Sequence, residues 1–307
     1  MTSSLNPIKI ALSNRGILVP DNPVNLSRAF VAAGVERKYI ISMTGRCGST
    51  WLASSLAQIS NCGNPLEYFS EEAIPHYGKP DGSGDFFQFI ESVVAATKTG
   101  AAFGLKIDGM RLHWLSSICD IGLSFSPDQT PWIDMRRLNI VKQAFSFVRA
   151  KKTGVWHDFV NQSVTAHSTT SGSNSDAPGV VALTEVDESA VWREILRLAE
   201  IERALDSLYI SLGIKPMRIF YEEMLDSKST VLLRVLAYLF PKRTFTFKDI
   251  QLADPTRKMS GDFMISDEIL FISRHAKSIN VVQEYRSDSS LSFTELRRLL
   301  TRETGTV

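Results

Sequence analysis

Six consecutive residues, Gly45-Arg46-Cys47-Gly48-Ser49-Thr50, combine two glycines, a guanidinium, a thiol and two hydroxyls. Glycines let a backbone bend sharply and approach a ligand closely. If a helix opens at Ser49, the N–H groups of its first turn point into the bend, and the helix dipole adds partial positive charge there. Arg46 adds a full charge. Such a place binds a phosphate or a sulfate. An ordinary strand-to-helix turn capped by Ser or Thr would contain the same residue types. A Walker A loop reads GxxxxGK[ST]; here Ser49 follows Gly48 with no intervening Lys, which argues against ATP or GTP hydrolysis.

Other residues with chemical potential are spread along the chain. Glu67 is the first carboxylate after Arg46 and lies in a loop of Asn, Gly and Pro residues, 61–69. It reads either as a solvated loop carboxylate or as a base returned to the mouth of the anion loop. Lys106 ends an apolar run, 101–107, where an amine either snorkels to solvent or faces an anion. Arg136 and Arg137 fall between a strand and a helix, with Ser146 further along that helix. Cations at a helix start oppose its dipole, and an anionic ligand or nearby acids would resolve the conflict. Arg257 and Lys258 are adjacent cations in a polar loop, 254–263.

The elements that must position these groups alternate along the chain. Residues 39–43 (YIISM) read as a buried strand, followed by the loop 44–48 and a helix through Ile59. Further strands are expected at 101–107, 131–137 and 216–221. Helices are expected at 26–33, 86–97, 112–119, 139–153, 185–212, 229–239, 266–277 and 292–301. Strands alternating with helices predict a parallel sheet covered on both faces, an α/β fold. In such a sheet, ligands bind at the C-terminal strand ends, where Arg136 and Arg137 fall. Residues 1–37 read as an N-terminal extension packed on the domain. Residues 75–84 read as an exposed turn, and 158–184 as a flexible insertion rich in Ser, Thr and Gly.

Composition sets the remaining bounds. With 44% hydrophobic and 22% charged residues and a net charge of +1, nothing global points to nucleic acid or an anionic membrane as partner. Any anion site must be local. Three cysteines, Cys47, Cys62 and Cys119, show no metal-ligand spacing and read as reduced thiols in a cytoplasmic protein. No apolar run of about 18 residues predicts a membrane span, and residues 1–16 do not resemble a secretory signal.

The segments GRCGST (45–50), NPLEYF (64–69), FGLKI (103–107), RRLNIVKQAFSFVRAKKTGVWH (136–157) and RIFYEEML (218–225) together resemble, in the same order, the bacterial carbohydrate sulfotransferase family typified by trehalose 2-sulfotransferase. The family's loop is usually PRSGST; here Gly45 replaces the Pro and Cys47 the first Ser. A thiol is a weaker donor than a hydroxyl, so backbone N–H groups would have to supply that contact. After residue 240 the resemblance thins.

The resemblance implies a single domain over 1–307 with a three-layer P-loop-NTPase-like fold, its central sheet mostly parallel and flanked by helices. It implies 3′-phosphoadenosine-5′-phosphosulfate (PAPS) as donor, 3′,5′-diphosphoadenosine (PAP) as product, no metal, a carbohydrate or glycolipid hydroxyl as acceptor, and a possible homodimer. Arg46, Cys47, Gly48, Ser49 and Thr50 match the loop that holds the 5′-phosphosulfate. Arg137 and Ser146 match the pair that holds the 3′-phosphate, Glu67 matches a general base, and Lys106 is expected to hold the donor or leaving group. Arg257 and Lys258 also resemble a loop that closes over the donor in cytosolic sulfotransferases. Two other readings stay open: a P-loop-like kinase or NTPase, which needs Mg²⁺ and normally a loop Lys, and a non-catalytic adenine-nucleotide-binding module.

Overall fold

A computed structural model describes residues 6–77, 84–156, 187–250, 263–287 and 290–304. The chain opens with α1 (Pro7–Ser13), the two-residue strand β1 (Ile17–Leu18) and α2 (Ser27–Ala32). The central strand β2 (Arg37–Met43) leads into α3 (Ser49–Ala57), then the short α4 (Ile74–Tyr77), β3 (Gly84–Asp85) and α5 (Phe86–Thr97). Next come β4 (Ala102–Asp108), α6 (Gly109–Leu115), α7 (Ile121–Ser124), β5 (Trp132–Arg136) and α8 (Ile140–Thr153). The rest comprises α9 (Glu188–Leu212), β6 (Met217–Phe220), α10 (Tyr221–Asp226), α11 (Lys228–Leu239), α12 (Phe263–Ser287) and α13 (Phe293–Thr304).

Four strands form one parallel sheet in the order β4-β2-β5-β6. The register runs from Arg37↔Ala102 to Met43↔Asp108 on one side of β2 and from Ile40↔Trp132 to Met43↔Met135 on the other. Side chains alternate across a strand, so β2 feeds two apolar layers. Ile40 packs with Phe103, Leu105 and Ile107 of β4 and with Ile201 and Leu205 of α9. Tyr39, Ile41 and Met43 pack with Leu52 and Leu56 of α3 and with Val235 and Leu236 of α11. A third cluster joins α8, α9, α12 and α13. The expected α/β architecture, a parallel sheet flanked by helices, is thus observed.

The chain adds β4 on one side of β2 and then crosses to add β5 on the other. The strand order therefore reverses at β2, and the crevice at the C-terminal ends of β2 and β5 is where such sheets hold ligands. The loops 44–48 and 137–139 both open there.

Several expected elements differ in detail. The helix expected at 112–119 begins at Gly109, because Asp108 accepts hydrogen bonds from the N–H groups of Met110 and Arg111 and starts it early. Helix α4 runs into the stretch expected to be an exposed turn, 75–84, and there buries Tyr77, which meets Tyr68 edge-on. The helix expected at 266–277 extends over Phe263–Ser287 with a kink at His275. Residues 6–30 send Ile8, Leu12, Leu26 and Phe30 into the same apolar cluster as β2 and β4. The expected insertion 158–184 and the loop bearing Arg257 and Lys258 lie outside the described residues.

Candidate functional site

The loop after β2 is built to bend. Gly48, at the start of α3, takes a left-handed φ of 83°. A Cβ there would stand 2.6 Å from Met224 Cε and 2.7 Å from Tyr221 Cδ2, so only Gly fits. Arg46 is also left-handed, at φ 65°, a conformation that disfavours a residue with a Cβ. Helix α8 straps the loop in place: buried Gln143 donates through Nε2 to Thr44 Oγ1 at 2.8 Å and to the Gly45 carbonyl at 2.7 Å.

The Arg46 guanidinium donates through Nε to Ser146 Oγ at 3.0 Å and also donates to the Trp156 carbonyl. Burial lowers its pKa, and the nearby charges of Arg137 and Arg149 lower it further. The charges of Arg137 and Arg149 thus make the surroundings of Arg46 electropositive.

Cys47 and Ser49 turn inward. The Cys47 thiol is fully buried, and burial pushes its pKa up to about 11. Ser49 Oγ lies 2.6 Å from Met43 Sδ. What these two residues offer a ligand is therefore the N–H groups at the helix start, not their side chains. Thr50 Oγ1 accepts from Lys106 Nζ at 3.3 Å.

On the β4 flank, Leu66 bridges Leu105, and the Leu66 carbonyl accepts from the Lys106 N–H at 3.1 Å. That short pairing sets Glu67 beside Lys106, with Nζ 3.0 Å from Oε1. Arg111 from α6 stands 3.6 Å from Glu67 Oε2 and pairs with Asp108 at 2.6 Å. Lys106 is 5% exposed and Glu67 27%, so of this pair it is Glu67 that reaches solvent.

On the β5 and β6 flank, the two consecutive arginines part. Arg136 is buried against Asp134 at 2.9 Å and Asp206 at 2.6 Å, with Glu202 at 3.8 Å. The acids resolve its charge, and it belongs to the fold. Arg137 emerges on the loop side, its guanidinium 4.7 Å from the Tyr221 ring centroid. Its Nε is buried without a hydrogen-bond partner, and its ion-pair partner Glu222 Oε1 is 3.9 Å away. Glu222 accepts instead from the N–H groups of Leu138 at 2.9 Å and Asn139 at 3.2 Å.

Arg46, Thr50, Glu67, Lys106, Arg137 and Ser146 thus gather at the C-terminal edge of the sheet. Ser146, which the resemblance places with Arg137 at a 3′-phosphate, accepts here from Arg46. Trp156 lends its carbonyl to Arg46 and sets its ring edge-on to Phe147, while Trp51 lies under Lys228. Sequence reading passed over Gln143, Tyr221 and Arg111. A Gln among inward-facing Val141, Ala144 and Phe145 is a signal for a buried polar strap, and Tyr221 follows directly on a strand, as Arg137 does. Among the described residues no group of His, Cys, Asp and Glu side chains could hold a metal ion, and no helix is long and apolar enough to cross a membrane.

A parallel sheet flanked by helices, with a Gly-flanked loop after β2 and cations at the neighbouring strand ends, defines a P-loop-like α/β protein that lacks the Walker lysine. Residues 123–263 match the model of the Stf0 sulphotransferase family, bearing out over that segment the resemblance seen in the sequence. The match supports sulfotransferase activity in general. It covers Arg137 and Ser146, while the loop 45–50, Glu67 and Lys106 precede it. A search of curated proteins finds no match.

Proposed function

We propose that this protein transfers a sulfuryl group from PAPS to a hydroxyl of a carbohydrate or glycolipid. The observation that carries this reading is the convergence of Arg46 and Arg137 on one sheet edge, close enough that their charges disfavour each other. Two anionic groups on one ligand would relieve that repulsion. The buried, unsatisfied Nε of Arg137 supports an anionic partner beside it.

PAPS supplies an activated sulfuryl group on a phosphate leaving group. Arg46 and the N–H groups opening α3 meet the 5′ end, where negative charge grows as the bond to the leaving phosphate lengthens. Arg137 holds the 3′-phosphate. Lys106 links the two halves of the site, bridging Thr50 at the helix start and Glu67. Glu67 accepts the proton of the attacking hydroxyl, a role that supplies roughly 10²–10⁴-fold in rate. Arg111 steadies its second oxygen.

Calorimetric titration with PAP tests the donor site. Wild type binds, and Arg46→Ala and Arg137→Ala each weaken binding by about tenfold or more, as expected when a charged hydrogen-bonding partner is removed. Unchanged affinity in both variants rejects the reading, as does tighter binding of ATP with Mg²⁺ than of PAP. Incubation with ³⁵S-labelled PAPS and a panel of glycans and glycolipids tests the acceptor class; label on none of them leaves a binding module instead.

A further inference from the structure

Arg137 emerges from a turn, 137–139, that is gripped from two sides. On one side Glu222 takes the N–H groups of Leu138 and Asn139. On the other, Arg286 near the end of α12 donates through Nη2 to the Arg137 carbonyl at 2.6 Å and through Nη1 to the Leu138 carbonyl at 2.8 Å. Arg286 is itself anchored. Its Nε and Nη2 bind the two oxygens of Glu202 at 2.8 and 3.0 Å, and both side chains are almost wholly buried. Glu202 lies on α9 beside Arg136, the last residue of β5.

Both peptide planes that follow Arg137 are therefore fixed by a bidentate, desolvated ion pair. Such a pair is a poor source of net stability, because desolvation offsets much of its attraction. It is a good source of geometry: a planar fork that satisfies two carbonyls and one carboxylate has very few alternative poses. A side chain rising from a backbone held this way loses less freedom when it grips an anion. Resting on the reading of Arg137 as the 3′-phosphate ligand, we infer that Arg286 is a positioning residue that fixes the Arg137 turn for the 3′-phosphate of the donor nucleotide. It lies on the chain beyond the family-matched segment.

Affinities of the full-length protein for PAP and for adenosine 5′-monophosphate, which lacks the 3′-phosphate, provide the test. Wild type prefers PAP; no preference would overturn the donor reading itself. Arg286→Lys keeps a cation facing Glu202 but cannot span both carbonyls at once. It is expected to cut the preference by about tenfold, the loss typical of a hydrogen bond to a charged group, and to leave 5′-monophosphate affinity unchanged. Adding Arg286→Lys to Arg137→Ala is expected to cost nothing more. An unchanged preference, or equal weakening of both nucleotides, overturns the inference. If Arg286→Lys does not fold, Glu202→Gln is read in the same way; unfolding of both variants assigns the pair to the fold and overturns it as well.

Discussion

Arg46 of the loop after β2 donates to Ser146 of α8 at 3.0 Å, across 100 residues of chain. The serine that the family resemblance assigns to the 3′-phosphate is here engaged with the loop proposed to hold the 5′ end. Ser146→Ala is therefore expected to weaken PAP and adenosine 5′-monophosphate alike, by about tenfold. Arg137→Ala should weaken only PAP. Calorimetry with the two nucleotides separates these patterns, and a selective loss of PAP in Ser146→Ala would return the serine to the 3′ end.

Glu67→Gln keeps the size of the side chain and removes the proton acceptor. PAP affinity is expected to hold while turnover with labelled donor drops by roughly 10²–10⁴-fold. Lys106→Met should lower both, because Lys106 touches Thr50 as well as Glu67. Full activity in Glu67→Gln removes Glu67 as the base.

Gly48→Ala places a methyl group against Met224 and Tyr221 at a left-handed φ. Backbone strain and overlap together should destabilise the protein by about 2 to 4 kcal/mol. Urea denaturation reads this as a lower midpoint. A change below about 0.5 kcal/mol would mean that α10 yields without cost.

Burial holds the Cys47 thiol neutral to about pH 11, against 9.0 for an exposed thiol, and Cys119 is pushed in the same direction, to about 12. A raised folded pKa gives stability that is complete below the unfolded value and is lost as pH rises. The folded state should therefore weaken between about pH 9 and 11, with Cys47 alone contributing on the order of 3 kcal/mol of that loss. Chemical denaturation at pH 8 and pH 10.5 checks the slope, and Cys47→Ala should flatten it. A native thiol that alkylates at pH 8 as fast as the unfolded chain would contradict this burial.

Long, strongly patterned elements were readable from the sequence. Helix α5 spans 86–97 as expected, since Asp85 and Gln88 form a capping box ahead of an apolar stripe. The strands β2 and β4 were legible because nearly continuous apolar runs of this length mark buried parallel strands, and β5 and β6, interrupted by Asp134 and Arg218, by the apolar residues on either side of the charge. Their spatial order was not, since pairing depends on crossovers rather than on local pattern. The two-residue strands and the six-residue α10 carry too few residues for any period to show. In the site, residue types announced Arg46, Glu67, Lys106 and Arg137. They could not separate Arg136 from Arg137, because that depends on which face of β5 meets Asp206. Nor could they foresee Cys47 and Ser49 facing inward, since a loop's side-chain directions follow from the backbone turn at Gly48.

With β2 in the middle of the sheet, the two halves of the site hang from different neighbours. Glu67 is tethered through Leu66 to β4, whereas Arg137 is anchored through β5 and α12. On the proposed function, changes along residues 61–77 would alter which hydroxyl approaches Glu67 without disturbing the nucleotide grip proposed for the far flank.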